Sequence, residues 1–185
     1  MYLLYLLRTV GEEILKGTFV VGSVERVWAA SNLLTEEERT VVGPVLRVWV
    51  FRRAIINGIE YQSSLYKRTT ARNNFTVVFK DRGKSHYGSV LKFLKCQAKC
   101  NSMQCSSKCS CSLPFFFIAL VQKMRNHATQ LPSYQGIRVI QHVTRVTLGE
   151  VISIPLSAIK KKCMRIDLDS DVIFVTHMAN NFEKD

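Results

Sequence analysis

A chain of 185 residues that is 47% hydrophobic fits one domain, or one domain with an appended arm, and is too apolar for wholesale disorder. A globule of this size buries roughly 70% of the surface its unfolded chain exposes, enough for a true core. Its formal charge of +12 points to an anionic partner and does not choose among nucleic acid, an acidic protein and an anionic membrane surface. No run approaches the ~18–20 apolar residues that span a bilayer, and the stretch from Leu113 to Val121 has only the length of a buried strand. The apolar start from Met1 to Leu7 has no basic segment before it and no small-residue cleavage site soon after. The expectation is therefore an intracellular protein, nuclear before cytoplasmic and not secreted, whose six cysteines are thiols or metal ligands and not a disulfide framework.

Residues 1–46 carry four Lys/Arg against six Asp/Glu and have a mixed texture. The segment from Gly17 to Gly22 predicts a short strand or buried run. Thr35 to Glu38 predicts a helix start, with Thr35 as N-cap and Glu38 at N3 completing a capping box. Gly43-Pro44 then interrupts the chain. We expect residues 1–44 to form an N-terminal arm, and residues 45–185 to form a β-rich domain with a cysteine-rich insertion at 96–112.

From Val45 onward the pattern is period-2 alternation or short buried runs at the spacing of an all-β domain. Asn57-Gly58 lies between Arg52–Ile56 and Ile59–Tyr66, and predicts a hairpin whose type I′ turn needs positive φ at both central residues. Phe75, Val77 and Phe79 fall on one face of the next strand, with Thr76 and Lys80 on the other. A polar turn over Asp81–Lys84 leads into a strand from Tyr87 to Leu94. Further strands are expected over Phe115–Met124, Ile137–Val146 and Val172–Thr176. Met164, Ile166 and Leu168 alternate with Arg165, Asp167 and Asp169, the pattern of a half-buried strand. Seven or eight short strands with no long helix predict a mainly β fold, a small barrel or strongly bent antiparallel sheet of SH3- or BAH-like character, preceded by the short, partly helical arm.

The charge is concentrated. Positions 47–99 hold twelve Lys/Arg against Glu60 and Asp81, a net of +10 out of the chain's +12. Trp49, Phe51, Tyr61, Tyr66, Phe75 and Tyr87 are interleaved with it, and rings beside cations on a β-surface can stack bases while the cations meet phosphate. Inward-facing strand positions explain the same rings as core. Lys67, Arg68, Arg72, Arg82 and Lys84 are the candidate nucleic-acid contacts, because they fall in polar links and turns. Lys160-Lys161-Lys162 is a weak import signal that a solvated face explains equally well.

Cys96, Cys100, Cys105, Cys109 and Cys111 lie within 16 residues, with His86 and His127 as further donors that could complete one tetrahedral zinc site. Paired Cx2C knuckles are missing, so the expectation is a Ser- and Lys-rich loop with incidental thiols and no cofactor, structural zinc being the alternative. Cys163 reads as a small core residue. The acids of Asp167, Asp169 and Asp171 do not continue into a calcium loop, since Val172 stands at its sixth position and Met178 at its twelfth. No phosphate loop, HExxH or GxSxG is present, and His142 and His177 have no nucleophile at a local signature. The expectation is a protein without catalytic activity and without a small-molecule substrate.

The order of motifs from about Leu34 onward resembles the uncharacterised region that follows the transposase core in animal En/Spm-like (CACTA-type) transposon-encoded proteins. The resemblance is carried by Leu34–Arg39, the Asn57-Gly58 hairpin with Tyr61, Ser64 and Tyr66, Arg72–Val77, Tyr87-Gly88, the cysteine-rich loop and Ala119–Val121. It continues through Ile154–Ile159, Lys162-Cys163, Ile166-Asp167, Phe174-Val175, Asn180, Phe182-Glu183 and Asp185. The acidic DDE-type catalytic core is absent, so strand transfer does not carry over. The first 33 residues look like a shortened remnant, as in a truncated element copy, a domesticated fragment or a partial gene model. What the resemblance implies is an accessory domain derived from a mobile element that contacts nucleic acid or chromatin. The alternatives are a docking module for a transposase-like protein, or a fragment without selected function.

Overall fold

The computed structural model describes residues 11–15, 18–21, 25–28, 34–66, 75–98, 115–126, 143–169 and 172–177. The fold is mainly β, with one short helix near the N-terminus among the described residues. In chain order it runs β1 (Gly11–Leu15), β2 (Thr18–Val21), β3 (Glu25–Trp28), α1 (Glu36–Val42), β4 (Val45–Phe51), β5 (Arg53–Ile56) and β6 (Ile59–Gln62). Then come β7 (Thr76–Asp81), β8 (Lys84–Ala98), β9 (Phe115–Asn126), β10 (Val143–Pro155), a 3-10 turn at Leu156–Ala158, β11 (Ile159–Asp169) and β12 (Val172–His177). All pairings are antiparallel. A small sheet has the order β1-β2-β5-β6, and a large one the order β3-β4-β8-β7-β11-β12-β10-β9. Because β8 also pairs with β9, the last six strands of the large sheet close into a ring of pairings, with β4 and β3 continuing outward from β8. The strand pairings run across position 44: β2 pairs with β5 and β3 with β4.

The long strands depart from the expected short ones. β8, β9 and β10 span 15, 12 and 13 residues. β8 spends its N-terminal half beside β7 and its C-terminal half beside β4, while β9 follows its other edge from Gly88 to Gln97. Such a strand must bend. A bulge at Val90/Lys92 supplies a local increase in twist, and Gly88 permits close approach, since a Cβ there would sit 2.3 Å from Val121 Cγ1. Two hairpins are set by tight turns. Asn57 and Gly58 have φ of 52° and 78°, the two positive values that the I′ turn requires, and Arg82 and Gly83 repeat the arrangement at 48° and 80°.

Cross-strand register assigns alternate residues to two faces, and both are packed. On one face, Phe51, Ala54, Ile56 and Tyr61 join Val77, Phe79, Val90, Phe93, Ala119, Val121, Ile154, Leu156 and Ile159 in the largest core cluster, so the small sheet covers this side. On the other, Val48, Val50, Leu94, Cys96 and Leu120 are covered by Leu34 and by Val41 and Val42 of α1. A third cluster gathers Met124, Val146, Ile173 and Val175 beside Tyr87. β7, expected to bury one face, is buried on both from Thr76 to Phe79, because β8 and β11 flank it and both faces are covered. In β11 two apolar members of the alternation are exposed, Met164 at 48% and Ile166 at 40%, while Cys163 is buried. Arg165 takes the packed side because Ser89 Oγ (3.2 Å) and the Asp167 carboxylate (2.7 Å) accept its N–H groups.

α1 begins as its residues dictate. The Thr35 hydroxyl accepts from the Glu38 N–H at 3.2 Å, and the Glu38 carboxylate accepts from the Thr35 N–H at 2.8 Å. The same carboxylate, 4% exposed as a residue, forms an ion pair with the Lys92 ammonium in the middle of β8. Glu37 accepts from the Val151 N–H at the bulge of β10, and the Ser153 hydroxyl donates to the Val41 carbonyl. A helix of seven residues has little stability of its own, so these contacts and the apolar cluster beneath it hold it in place.

Candidate nucleic-acid interface

Of the five proposed contacts, Arg82 and Lys84 lie at the β7–β8 turn, and Lys67, Arg68 and Arg72 lie outside the described residues. The turn is rigid by construction: Asp81 pairs with Lys84 across it, and the two central residues carry the positive φ of the I′ form. Lys80, Arg82 and Lys84 are exposed there, and among the described residues none of the three has an ion-pair partner. Asp81, the only acid of the turn, is engaged by Lys123 of β9 at 3.5 Å. Beside it His86 lies against the Phe79 ring, centroids 5.7 Å apart. Its burial, then the Lys123 ammonium, and last Lys84, hold its imidazole below the usual range against the opposing pull of Asp81. His86 is thus a neutral neighbour of a cationic tip at pH 7.

The interleaved rings divide. Phe51 and Tyr61 are core, 2% and 1% exposed, and burial raises the Tyr61 phenol, with Cys163 adding to it. Tyr66 is half-buried with the Arg53 guanidinium 5.2 Å from its ring centre, and Tyr87 packs on the third cluster. Trp49, named among those rings, stands in a cluster whose other members, Lys95, Phe115 and Phe117, sequence reasoning missed. Register places Trp49, Lys95 and Phe117 side by side across β4, β8 and β9, followed outward by Arg47, Gln97 and Phe115. The Lys95 ammonium lies over three rings, 4.3 Å from the centre of Phe115, 5.3 Å from Trp49 and 5.8 Å from Phe117. Trp49 and Phe115 meet edge to face at 5.6 Å. The signal was available in Phe115–Phe117, since three consecutive rings on a strand cannot all face one core, and the first two are 46% and 38% exposed.

Cys96 belongs to the apolar cluster under α1, and burial pushes its thiol up to about 12. Cys100, Cys105, Cys109, Cys111 and His127 lie outside the described residues. Cys163 is buried, as expected of a core residue, and its thiol is pushed up to about 11. Among the described residues no group of three His, Cys, Asp or Glu is placed to hold a metal ion, and no helix is long and apolar enough to cross a membrane. Lys160 and Lys161 are exposed at the start of β11, the former bonded to the Ser157 carbonyl.

Comparisons with family models, with curated proteins and with solved structures give no match for this chain.

Proposed function

We propose that this chain is a non-catalytic binding module that contacts nucleic acid, free or in chromatin, through phosphate. The observation that carries the reading is the β7–β8 turn, where Lys80, Arg82 and Lys84 project from a rigid I′ hairpin whose one acid is engaged by Lys123. Cations held on a short turn, without carboxylates competing for them, meet phosphates at low entropic cost. The resemblance to the region after the transposase core in En/Spm-like elements supports an origin in a mobile element and a nuclear place of work. The test is a titration of the purified chain against unrelated oligonucleotides at two salt concentrations. Binding should weaken steeply with salt, and Arg82→Ala with Lys84→Ala should flatten the slope by about 0.9 per lost contact on duplex DNA or about 0.7 on a single strand. Affinity should fall about equally for all sequences, because phosphates carry no base information. Salt-indifferent binding, or none at low salt, overturns the reading.

A second reading is favoured by Met164 and Ile166, which stand exposed on neighbouring outward positions of β11. Under it the chain docks on a protein such as a transposase, and loss of those two side chains, instead of the turn cations, would abolish partner binding.

A further inference from the structure

Across β4, β8 and β9 the large sheet ends in a surface of rings and cations. One cross-strand row is Trp49, Lys95 and Phe117, and the next is Arg47, Gln97 and Phe115. Toward the centre of the molecule the same face continues as Phe51, Phe93 and Ala119, all buried, so the rings are anchored at one end in the core. Toward the edge the burial stops: Phe115 remains 46% exposed although the Lys95 ammonium already covers one of its faces at 4.3 Å.

This arrangement selects its ligand. Three rings around an ammonium look like a receptor for a cationic side chain, yet the cation is supplied by Lys95 itself, with Arg47 in the next row. A cationic ligand would have to displace Lys95 from its three rings. The matching ligand is anionic and carries flat π-faces of its own. Lys95 and Arg47 offer charge to phosphate while Phe115 and Trp49 offer stacking to bases. In duplex DNA the base faces are consumed by stacking on one another; in a single strand they are free.

We propose that this face is a stacking platform for single-stranded nucleic acid, with Phe115 and Trp49 as base contacts and Lys95 and Arg47 as backbone contacts. The proposal rests on the phosphate-binding reading above and refines it to a strand state. It also gives the surface no reason to prefer one base over another, because every base has a π-face.

The chain has two tryptophans, Trp28 and Trp49, so a Trp28→Phe background leaves Trp49 as the sole indole reporter. In that background the full chain is titrated with a mixed-sequence single-stranded oligonucleotide and with its duplex, at low and moderate salt. The expected result is tighter binding of the single strand with quenching of Trp49 emission. Phe115→Ala should weaken single-strand binding roughly 5- to 100-fold, the loss expected for one base stack, and leave duplex binding unchanged. Phe115→Tyr, which keeps the ring, should bind like the parent, and unchanged far-UV dichroism confirms that both variants fold. Equal binding of duplex and single strand without quenching, or Phe115→Ala binding like the parent, overturns the platform while the phosphate reading stands. Binding of neither oligonucleotide at low salt overturns both. Preferential binding of a trimethyllysine peptide with Trp49 quenching overturns the platform in favour of a cation cage.

Discussion

The three strands β4, β8 and β9 present two faces, built from alternate residues of the same segments, and the two are opposites. Val48, Val50, Leu94, Cys96 and Leu120 lie under α1, where even the charges are paired, Glu38 to Lys92. Trp49, Lys95, Phe117, Arg47, Gln97 and Phe115 lie on the other face, where Trp49 and Phe117 pack against the first core cluster and Phe115 is 46% exposed. A shift of one residue in register would exchange them, placing Lys95 under the helix and Leu94 in water. The comparison teaches that cover, more than strand composition, separates a sealed face from one that keeps rings at the surface. A seven-residue helix seals the first, while Phe115 on the second stays 46% exposed.

The sharpest way to break this contrast is to damage the covered face. Glu38→Ala removes a helix cap and leaves the Lys92 ammonium, its side chain 12% exposed, without its carboxylate. Stability measured by urea unfolding should fall by about 3–5 kcal/mol. The double variant Glu38→Leu with Lys92→Met should recover most of that loss, since no charge is then stranded. A loss below 1 kcal/mol in the single variant would mean that α1 does not seal this face.

Filling the closed end of the opposite face comes next. A methyl at Gly88 would meet Val121 Cγ1 at 2.3 Å and Phe79 Cε1 at 2.9 Å, both in the core, so Gly88→Ala should cost about 1–3 kcal/mol. A neutral result would show that β8 and β9 can separate at their crossing.

Alkaline pH tests the covered face again, through Cys96, and the buried side of β11 through Cys163. Burial holds these thiols at about 12 and about 11, above the ordinary 9.0 of an exposed thiol. The native state thus keeps protons that the unfolded state releases, so the stabilisation is full below pH 9 and is lost as pH rises toward 11–12. Urea midpoints at pH 8 and pH 10 should differ by up to about 1.4 kcal/mol per thiol, and Cys96→Ala should reduce the difference by that thiol's share. No reduction in that variant would place the alkaline loss elsewhere.

The smallest effect is expected at the open face. Phe115→Ala removes an exposed ring with one edge contact and one cation contact, and should cost about 1 kcal/mol or less. A loss comparable to that of Gly88→Ala would mean that the platform is part of the core.

Sequence patterns revealed the parts of this fold that depend on neighbours in the chain. The Asn57-Gly58 turn and the Thr35/Glu38 capping box are local bargains between a backbone and its adjacent side chains, and both are present in the predicted form. The mainly β class followed from alternation. What escaped depends on distant partners. Met164 and Ile166 face outward because Ile173, Val175 and Val146 already fill the other side, which no pattern within β11 records. Lys95 came to notice only as one charge among twelve, because its three rings arrive from β4 and from β9, 20 residues away in the chain at the nearest. Of the candidate phosphate contacts, the turn made Arg82 and Lys84 legible, since an I′ hairpin fixes its own geometry.

The closed circuit of pairings has a kinetic meaning. Phe79 lies opposite Ile159, eighty positions later in the chain, so β7 meets β11 only after the whole intervening chain has been laid down. Until that seam forms, β7 and β11 each present an unpaired backbone edge, and the entropy of closing so long a loop must be met before the contact rewards it. Folding rates on the millisecond-to-second scale of non-local β proteins are the natural regime for such a chain. During that interval the unfinished seam, rather than any surface of the finished protein, is where two copies would most readily join by mistake.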